Sequence, residues 1–574
     1  MSKFFTLFLI IVMAAWAQST VTDPRITSWL TDASGSYARL YESDANKLAG
    51  TASLTWSRGA GVQSSPVYAG VTQVQFSANS VYLRTTGLGY HIMGPWYGNV
   101  AHTQNFGNFP ANQNALFQLP RTPVVPLAKT LTNAGPIGVG VDGVALFDNR
   151  DTFSYANSSA QDGNPMNGLR GDGIWNRDAY INEGMTFDPA FAHQAGSNYH
   201  YHANTPALRF LLGDHVNFDA VTKAYTESPS PVTKHSPILA WLSDGHPVYG
   251  PYGYASALNA ASGLRRMVPG YIKRDGTNGT TNLTATGRTT LPPWAALAQN
   301  RSATLATNQQ GPVVSATYIL GHYLEDYDYL GNLGKLQGVD YDLDQYNCRF
   351  CVTPEFPNGT YAYFITIEAD GTPKFPYIIG RWFYGSPTGK VVTSISETVT
   401  EYDRGAPTAA ITLTGTTSGN GVSLIWNSVE GATYKVEASS GGTTYTTLAS
   451  ALTSSGNATT YVATTKENYY RVTLTAIAVY DTNGPIGMPV GTTVTLSYLA
   501  SGSTATGAVS AASTTPTSTT PTTPTAPTTP PPMPAPTVTT TPAASSGGGG
   551  GAPSWWFGGL LALLGFLRRR VRSA

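Results

Sequence analysis

The sequence predicts a mainly β protein: a large β-rich N-terminal domain, then a small β-sandwich, a disordered stalk and a short transmembrane segment. Three observations carry this reading. Apolar and aromatic residues alternate at period two in short runs bounded by Gly, Asn and Asp, as half-buried strands require. Only 11% of the 574 residues are charged while glycine alone numbers 60, the composition of an extracytoplasmic β-rich chain. From residue 501 almost nothing is able to build a core until one apolar run near the end. The length exceeds a single core. Lys plus Arg balances Asp plus Glu, 33 against 33, with no long basic run in the folded part, which argues against a nucleic-acid partner. Two cysteines are too few for a disulfide framework, so packed cores must supply the stability.

Residues 1–17 have the order of a secretory signal: Lys3, the run FFTLFLIIVMAA, and small residues at AWA with cleavage after Ala17. The large domain spans 20–395. Within it IGVGVDGVALFD places Val139 and Val141 before Asp142-Gly143, and Val144 and Leu146 after it, the signal of a hairpin with a two-residue turn. QVQFSANSVYLR and GTYAYFITIEADGTPKFPYIIG read as further hairpins, and the best helix candidate is YASALNAASGLRRM, 254–267. In 405–500, Leu424 and Trp426, Tyr434 and Val436, and Tyr470, Val472 and Leu474 fall on common strand faces, which predicts a sandwich. The segments LIWNSVEGATYKVEAS and YYRVTLTA resemble fibronectin type III modules with Trp426 in the core; a spacer is preferred to a binding module.

Residues 501–552 form a Thr/Pro/Gly-rich linker, an extended stalk. A hydrophobic anchor at 553–567 follows, then a basic tail at 568–574 that the positive-inside rule keeps cytoplasmic. The apolar run from Trp555 to Leu567 is short against the usual minimum of about 17 residues. This tail resembles the three-part C-terminal sorting signals of bacterial surface proteins, of the glycine-rich type trimmed by a membrane protease; a plain membrane anchor is the alternative. The chain is therefore expected outside the cytoplasm, held at the cell surface or outer envelope or released by C-terminal processing.

The stretch NYHYHANTPAL, 198–208, carries the chemistry. On a strand, His200 and His202 share one face and Tyr199 and Tyr201 the other. Two imidazoles on one face make a bidentate platform for a borderline metal, copper or zinc, and a third ligand would complete it. His193 lies seven residues upstream, across a turn-like QAGSN that could fold it back beside the pair. Packed or surface histidines are the alternative. All nine histidines fall between His91 and His322, none in the sandwich, stalk or tail.

AHQAGSNYHYHANTP, then SPILAWLSDGHPVYGPYGY, then LDQYNCRFCVTPEFPNGTYAYFIT is similar in content and order to the YHYH domain family, over much of 60–385. The resemblance implies a histidine before the tetrapeptide, matching His193, and an Asp-Gly-x-Pro-x-Tyr-Gly-Pro block, matching Asp244, Gly245, Pro247, Tyr249, Gly250 and Pro251. It supplies a fold grouping and candidate positions, not a reaction. The chain departs from the pattern in reading DPAFAH where a cysteine often precedes the first histidine, so a family disulfide or thiolate ligand there is absent.

The second block reads as a rigid loop presenting Asp244, His246, Tyr249 and Tyr252. Asp244 and His246 could supply a further ligand, orient one, or act as acid and base; for Asp244 a turn-capping role is slightly preferred. Glu325, Asp326, Asp328, Asp340, Asp342 and Asp344 crowd together, but the helix-loop-helix calcium spacing fails because Cys351 stands at position twelve, so a solvated acidic face is preferred to calcium. For Cys348 and Cys351 in CRFC a local disulfide ranks above a redox centre, and zinc third. There is no G-x-S-x-G, H-E-x-x-H, phosphate-binding loop or dinucleotide fingerprint.

Three functions remain in view. The first is a surface-anchored protein with a transition-metal site on His193, His200 and His202. The second is an adhesin-like protein that binds glycans or proteins through Trp96, Tyr97, Tyr199, Tyr201, Tyr249 and Tyr252. The third is a metal-dependent or Asp/His hydrolase using Asp244 and His246.

Overall fold

The computed structural model describes residues 22–31, 36–133, 135–403, 411–428, 433–453, 458–476, 493–498 and 500–507. The expected signal peptide, the stalk beyond 507, the hydrophobic anchor and the basic tail lie outside the described residues. Among the described residues no helix is long and apolar enough to cross a membrane.

An eight-stranded mixed sheet forms the frame of the large domain. Its spatial order is Ala192–Ala195, Asn198–Tyr201, Ala145–Phe147, Pro136–Gly140, Ile238–Leu242, Pro247–Tyr249, Thr360–Phe364 and Cys348–Cys351. The middle strands are continuously apolar: all of Ile238–Leu242 and Pro247–Tyr249 is buried, as strands covered on both faces must be. A second, five-stranded antiparallel sheet runs Lys390–Val392, Ala115–Pro120, Ser80–Thr85, Val71–Phe76 and Thr400–Asp403. One hydrophobic cluster contains residues of both, among them Val74, Leu83, Phe117, Val139 and Trp241. Because Thr400–Asp403 pairs with Val71–Phe76, the domain runs past the expected boundary at 395.

The two sheets meet at the hairpin expected around Asp142-Gly143. The Gly140 N–H closes on the Val144 carbonyl at 2.7 Å, inside the Val139–Ala145 pair, and leaves a three-residue loop rather than two, with Gly143 at φ 77°. A β-turn closed by Gly143 N–H on the Gly140 carbonyl, followed by a left-handed glycine, matches the strand twist. Thr85 Oγ1, on the other sheet, donates to the Gly143 carbonyl at 3.0 Å.

QVQFSANSVYLR forms its hairpin, with Phe76 opposite Val81. In the later segment only Thr360–Phe364 is a strand, and its partners are Cys348–Cys351 and Pro247–Tyr249 rather than the residues that follow it. The expected helix at 254–267 is instead the hairpin Tyr252–Ser256 with Asn259–Arg266. Gly263 at φ 83° sits inside it, a value no right-handed helix accepts, so alanine propensity yields to backbone and tertiary context.

The sandwich has two four-stranded antiparallel sheets around Leu424, Trp426, Tyr434, Val436, Tyr470, Val472 and Leu474, each at most 1% exposed. Its last strand, Ser503–Gly507, pairs with Ile411–Ser418, so the fold takes up residues assigned to the stalk.

Gly143→Ala is expected to lower the stability of the large domain by at least about 2 kcal/mol in denaturant unfolding, because it combines positive φ with overlap of the new Cβ on Thr85 Oγ1.

Candidate metal centre

The centre is built on one edge of the eight-stranded sheet. Ala192–Ala195 and Asn198–Tyr201 form an antiparallel hairpin across Gly196-Ser197, with Gly196 at φ 62° as a two-residue loop asks of its first residue. This register sets His193 directly opposite His200. QAGSN thus does fold the upstream histidine beside the pair. Asn198–Tyr201 runs parallel to Ala145–Phe147, which stacks Phe147 on the His200 ring with centroids 3.8 Å apart.

The tyrosines of the tetrapeptide anchor the strand from its other face. Tyr201 donates to Asp142 Oδ2 and Tyr199 to Asp188 Oδ2, each at 2.8 Å. Burial pushes both carboxyls up to about 6, against the opposing effect of those hydroxyls and of backbone N–H donors. Asp188 also accepts from the backbone N–H groups of Gly94, Ala190 and Ala192, and Trp96 Nε1 donates to the Ala192 carbonyl. The edge strand is thereby fixed before any ligand arrives.

The ring nitrogens follow from hydrogen-bond bookkeeping. His200 Nδ1 lies 2.9 Å from the Asn198 carbonyl and His202 Nδ1 2.9 Å from the Asp148 carbonyl. A carbonyl only accepts, so both Nδ1 atoms carry the proton. His193 Nδ1 lies 2.7 Å from Thr186 Oγ1, whose own proton goes to the Glu183 carbonyl at 2.6 Å; Thr186 therefore accepts, and His193 is also protonated on Nδ1. All three Nε2 lone pairs are left without a proton. They nonetheless gather: His200 Nε2 and His202 Nε2 are 3.0 Å apart, and the ligand atoms of the three residues all lie within 4.8 Å of one another.

Protons do not readily resolve this crowding of lone pairs. Burial, reinforced by the neighbouring imidazoles, holds His193 and His200 well below the usual histidine range, and burial brings His202 down to about 4 against the Asp148 carbonyl. A tetrahedral ion with bonds of 2.0–2.1 Å spaces its donors by about 3.3 Å. The His200–His202 edge already stands near that spacing; the widest edge has to close. His193, His200 and His202 could hold a metal ion.

Sequence reasoning missed Glu183. It ends the short helix Ala179–Glu183, whose N-cap is Asp178, and its Oε2 lies 3.5 Å from His193 Nε2 and 3.4 Å from His202 Nε2. No spacing rule ties INEG to the tetrapeptide; only the fold brings the helix end over the hairpin.

Other candidate positions lie elsewhere. His246 precedes Pro247–Tyr249, four strand steps from Asn198–Tyr201, or about 19 Å across the sheet, so neither it nor Asp244 joins the triad. Asp244 is fully buried and accepts from Tyr363 Oη, the Gly385 N–H and the His246 N–H, and its Oδ2 stands 3.3 Å from His246 Nδ1. Tyr199, Tyr201 and Tyr249 are completely buried and Tyr252 is 5% exposed, while Trp96 and Tyr97 are also buried, so these aromatics pack the interior instead of forming a contact surface.

Cys348 and Cys351 are free, buried thiols. Three residues apart on one extended strand their Cα atoms stand about 10 Å apart, too far for a disulfide. The acidic group is not a solvated face, and its carboxylates are already engaged. Asp326 pairs with Arg288 at 2.7 Å, Asp342 with Arg265, and Glu325 accepts from Asn176, all three being buried; only Asp340 is exposed.

Fold and site together define a β-sheet protein with a buried three-imidazole donor set. Residues 116–377 match the family described as YHYH protein. That stretch contains all eight strands of the central sheet, the three histidines and Glu183, and leaves out Val71–Phe76, Ser80–Thr85, Lys390–Val392 and Thr400–Asp403 of the second sheet. No curated protein and no solved structure matches the chain.

Tyr201→Phe removes the hydroxyl that donates to buried Asp142 at 2.8 Å, a shorter bond than the 3.3 Å one from the Val144 N–H, and is expected to cost about 1–3 kcal/mol in equilibrium unfolding.

Proposed function

We propose that this protein is secreted and surface-anchored, and that its large domain holds a transition-metal ion, copper or zinc, on the Nε2 atoms of His193, His200 and His202. The observation that carries the reading is the hydrogen-bonded Nδ1 of every member, which leaves three unprotonated nitrogens converging in a buried site. Such a centre suits sequestering or sensing, and would suit catalysis wherever a coordination position stays open. The sandwich then serves as a fibronectin type III-like spacer, and the linker, hydrophobic run and arginines tether the domains to a membrane, with a sorting protease as the partner that would release them.

Full-length protein purified without an affinity histidine tag is expected to carry close to one transition-metal ion per chain by elemental analysis. His200→Ala with His202→Ala should abolish it, while His246→Ala should leave it unchanged. Full metal content in the double variant would remove the pair from the site.

A further inference from the structure

A carboxyl oxygen joins two of the three imidazoles. Glu183 Oε2 stands 3.4–3.5 Å from His193 Nε2 and His202 Nε2, whose rings carry their protons on Nδ1, so a carboxyl oxygen and two imidazole lone pairs share one space. Among the described residues no donor satisfies that carboxylate. Arg177, whose charge reaches it, is committed to Asp151 at 2.7 Å and to the Gly163 carbonyl at 2.7 Å. The backbone holds these electron-pair donors together, an arrangement that suits a cation.

The distances say where that cation would sit. Glu183 Oε2 lies from His193 Nε2 and His202 Nε2 at close to the roughly 3.3 Å edge of a tetrahedral ion with bonds of 2.0–2.1 Å. We propose that Glu183 is the fourth ligand, closing the centre as a three-nitrogen, one-oxygen site for a divalent ion of the zinc class; this rests on the triad reading above. A hard carboxylate oxygen favours zinc(II) over cuprous copper, which prefers soft donors. Four protein ligands leave no position for substrate, so the centre holds metal rather than performing chemistry on it.

Exposure gives Glu183 a second role. The histidines are 7%, 1% and 4% exposed, whereas the Glu183 side chain is 26% exposed. Phe147 and Phe187 pack on the imidazoles from the protein side. The carboxylate is therefore the donor through which metal enters and leaves, and removing it opens one coordination position to solvent.

The test uses the full-length chain with zinc(II), and with cobalt(II) as a spectroscopic substitute. Glu183→Gln, which keeps the side-chain volume, and Glu183→Ala should both weaken zinc binding by at least about 100-fold against a chromophoric chelator. Azide should alter the visible cobalt spectrum of the Glu183→Ala protein and leave the wild-type spectrum unchanged. Matching unfolding curves for the metal-free proteins separate ligand loss from misfolding. Wild-type affinity and an unchanged cobalt spectrum in both variants would overturn Glu183 as a ligand. Wild-type protein that binds neither ion would instead overturn the triad reading.

Discussion

Each imidazole of the centre gives its Nδ1 proton to an oxygen already fixed by the backbone, and this constraint determines what the site can be. Two of the acceptors are carbonyls, of Asn198 and Asp148, and the third is a hydroxyl whose proton is consumed by the Glu183 carbonyl. The rings cannot rotate or change tautomer without breaking these bonds inside a buried region. Orientation is therefore paid in advance by folding, and a bound ion would meet a prearranged donor set.

The rest of the fold serves that arrangement through a recurring device, a buried tyrosine hydroxyl on a buried aspartate. Tyr199 with Asp188, Tyr201 with Asp142, Tyr363 with Asp244 and Tyr377 with Asp178 all bond at 2.8 Å. A phenol hydrogen-bonded to a carboxylate is a strong contact that also brings a large apolar ring into the core. In the tetrapeptide the device divides the labour by strand face: tyrosines lock the strand into the domain and histidines present nitrogen on the opposite side. Asp178 shows the economy of the scheme, since it accepts from Tyr377 and also caps the helix that ends at Glu183.

Much of this was legible in the sequence because it depends on local periodicity. Alternation puts His200 and His202 on one face whatever the tertiary structure, and a glycine-serine turn returns His193 to them. The sandwich core was legible for the same reason. Glu183 was not, because its approach depends on a helix packing across a hairpin ten residues away. Asp326 and Asp342 misled because their cationic partners, Arg288 and Arg265, are distant in sequence. The segment 254–267 misled because its alanines favour helix in isolation, while Gly263 and the pairing of Tyr254 with Leu264 settle it as a hairpin.

The protonation pattern of three rings decides what the centre can bind, and nitrogen-15 correlation spectra of the metal-free chain observe it directly. His193, His200 and His202 should each show a protonated Nδ1 and a bare Nε2 at neutral pH, with the Nε2 resonances shifting when zinc is added. A proton on Nε2 of any of the three, persisting in the folded protein, would contradict it.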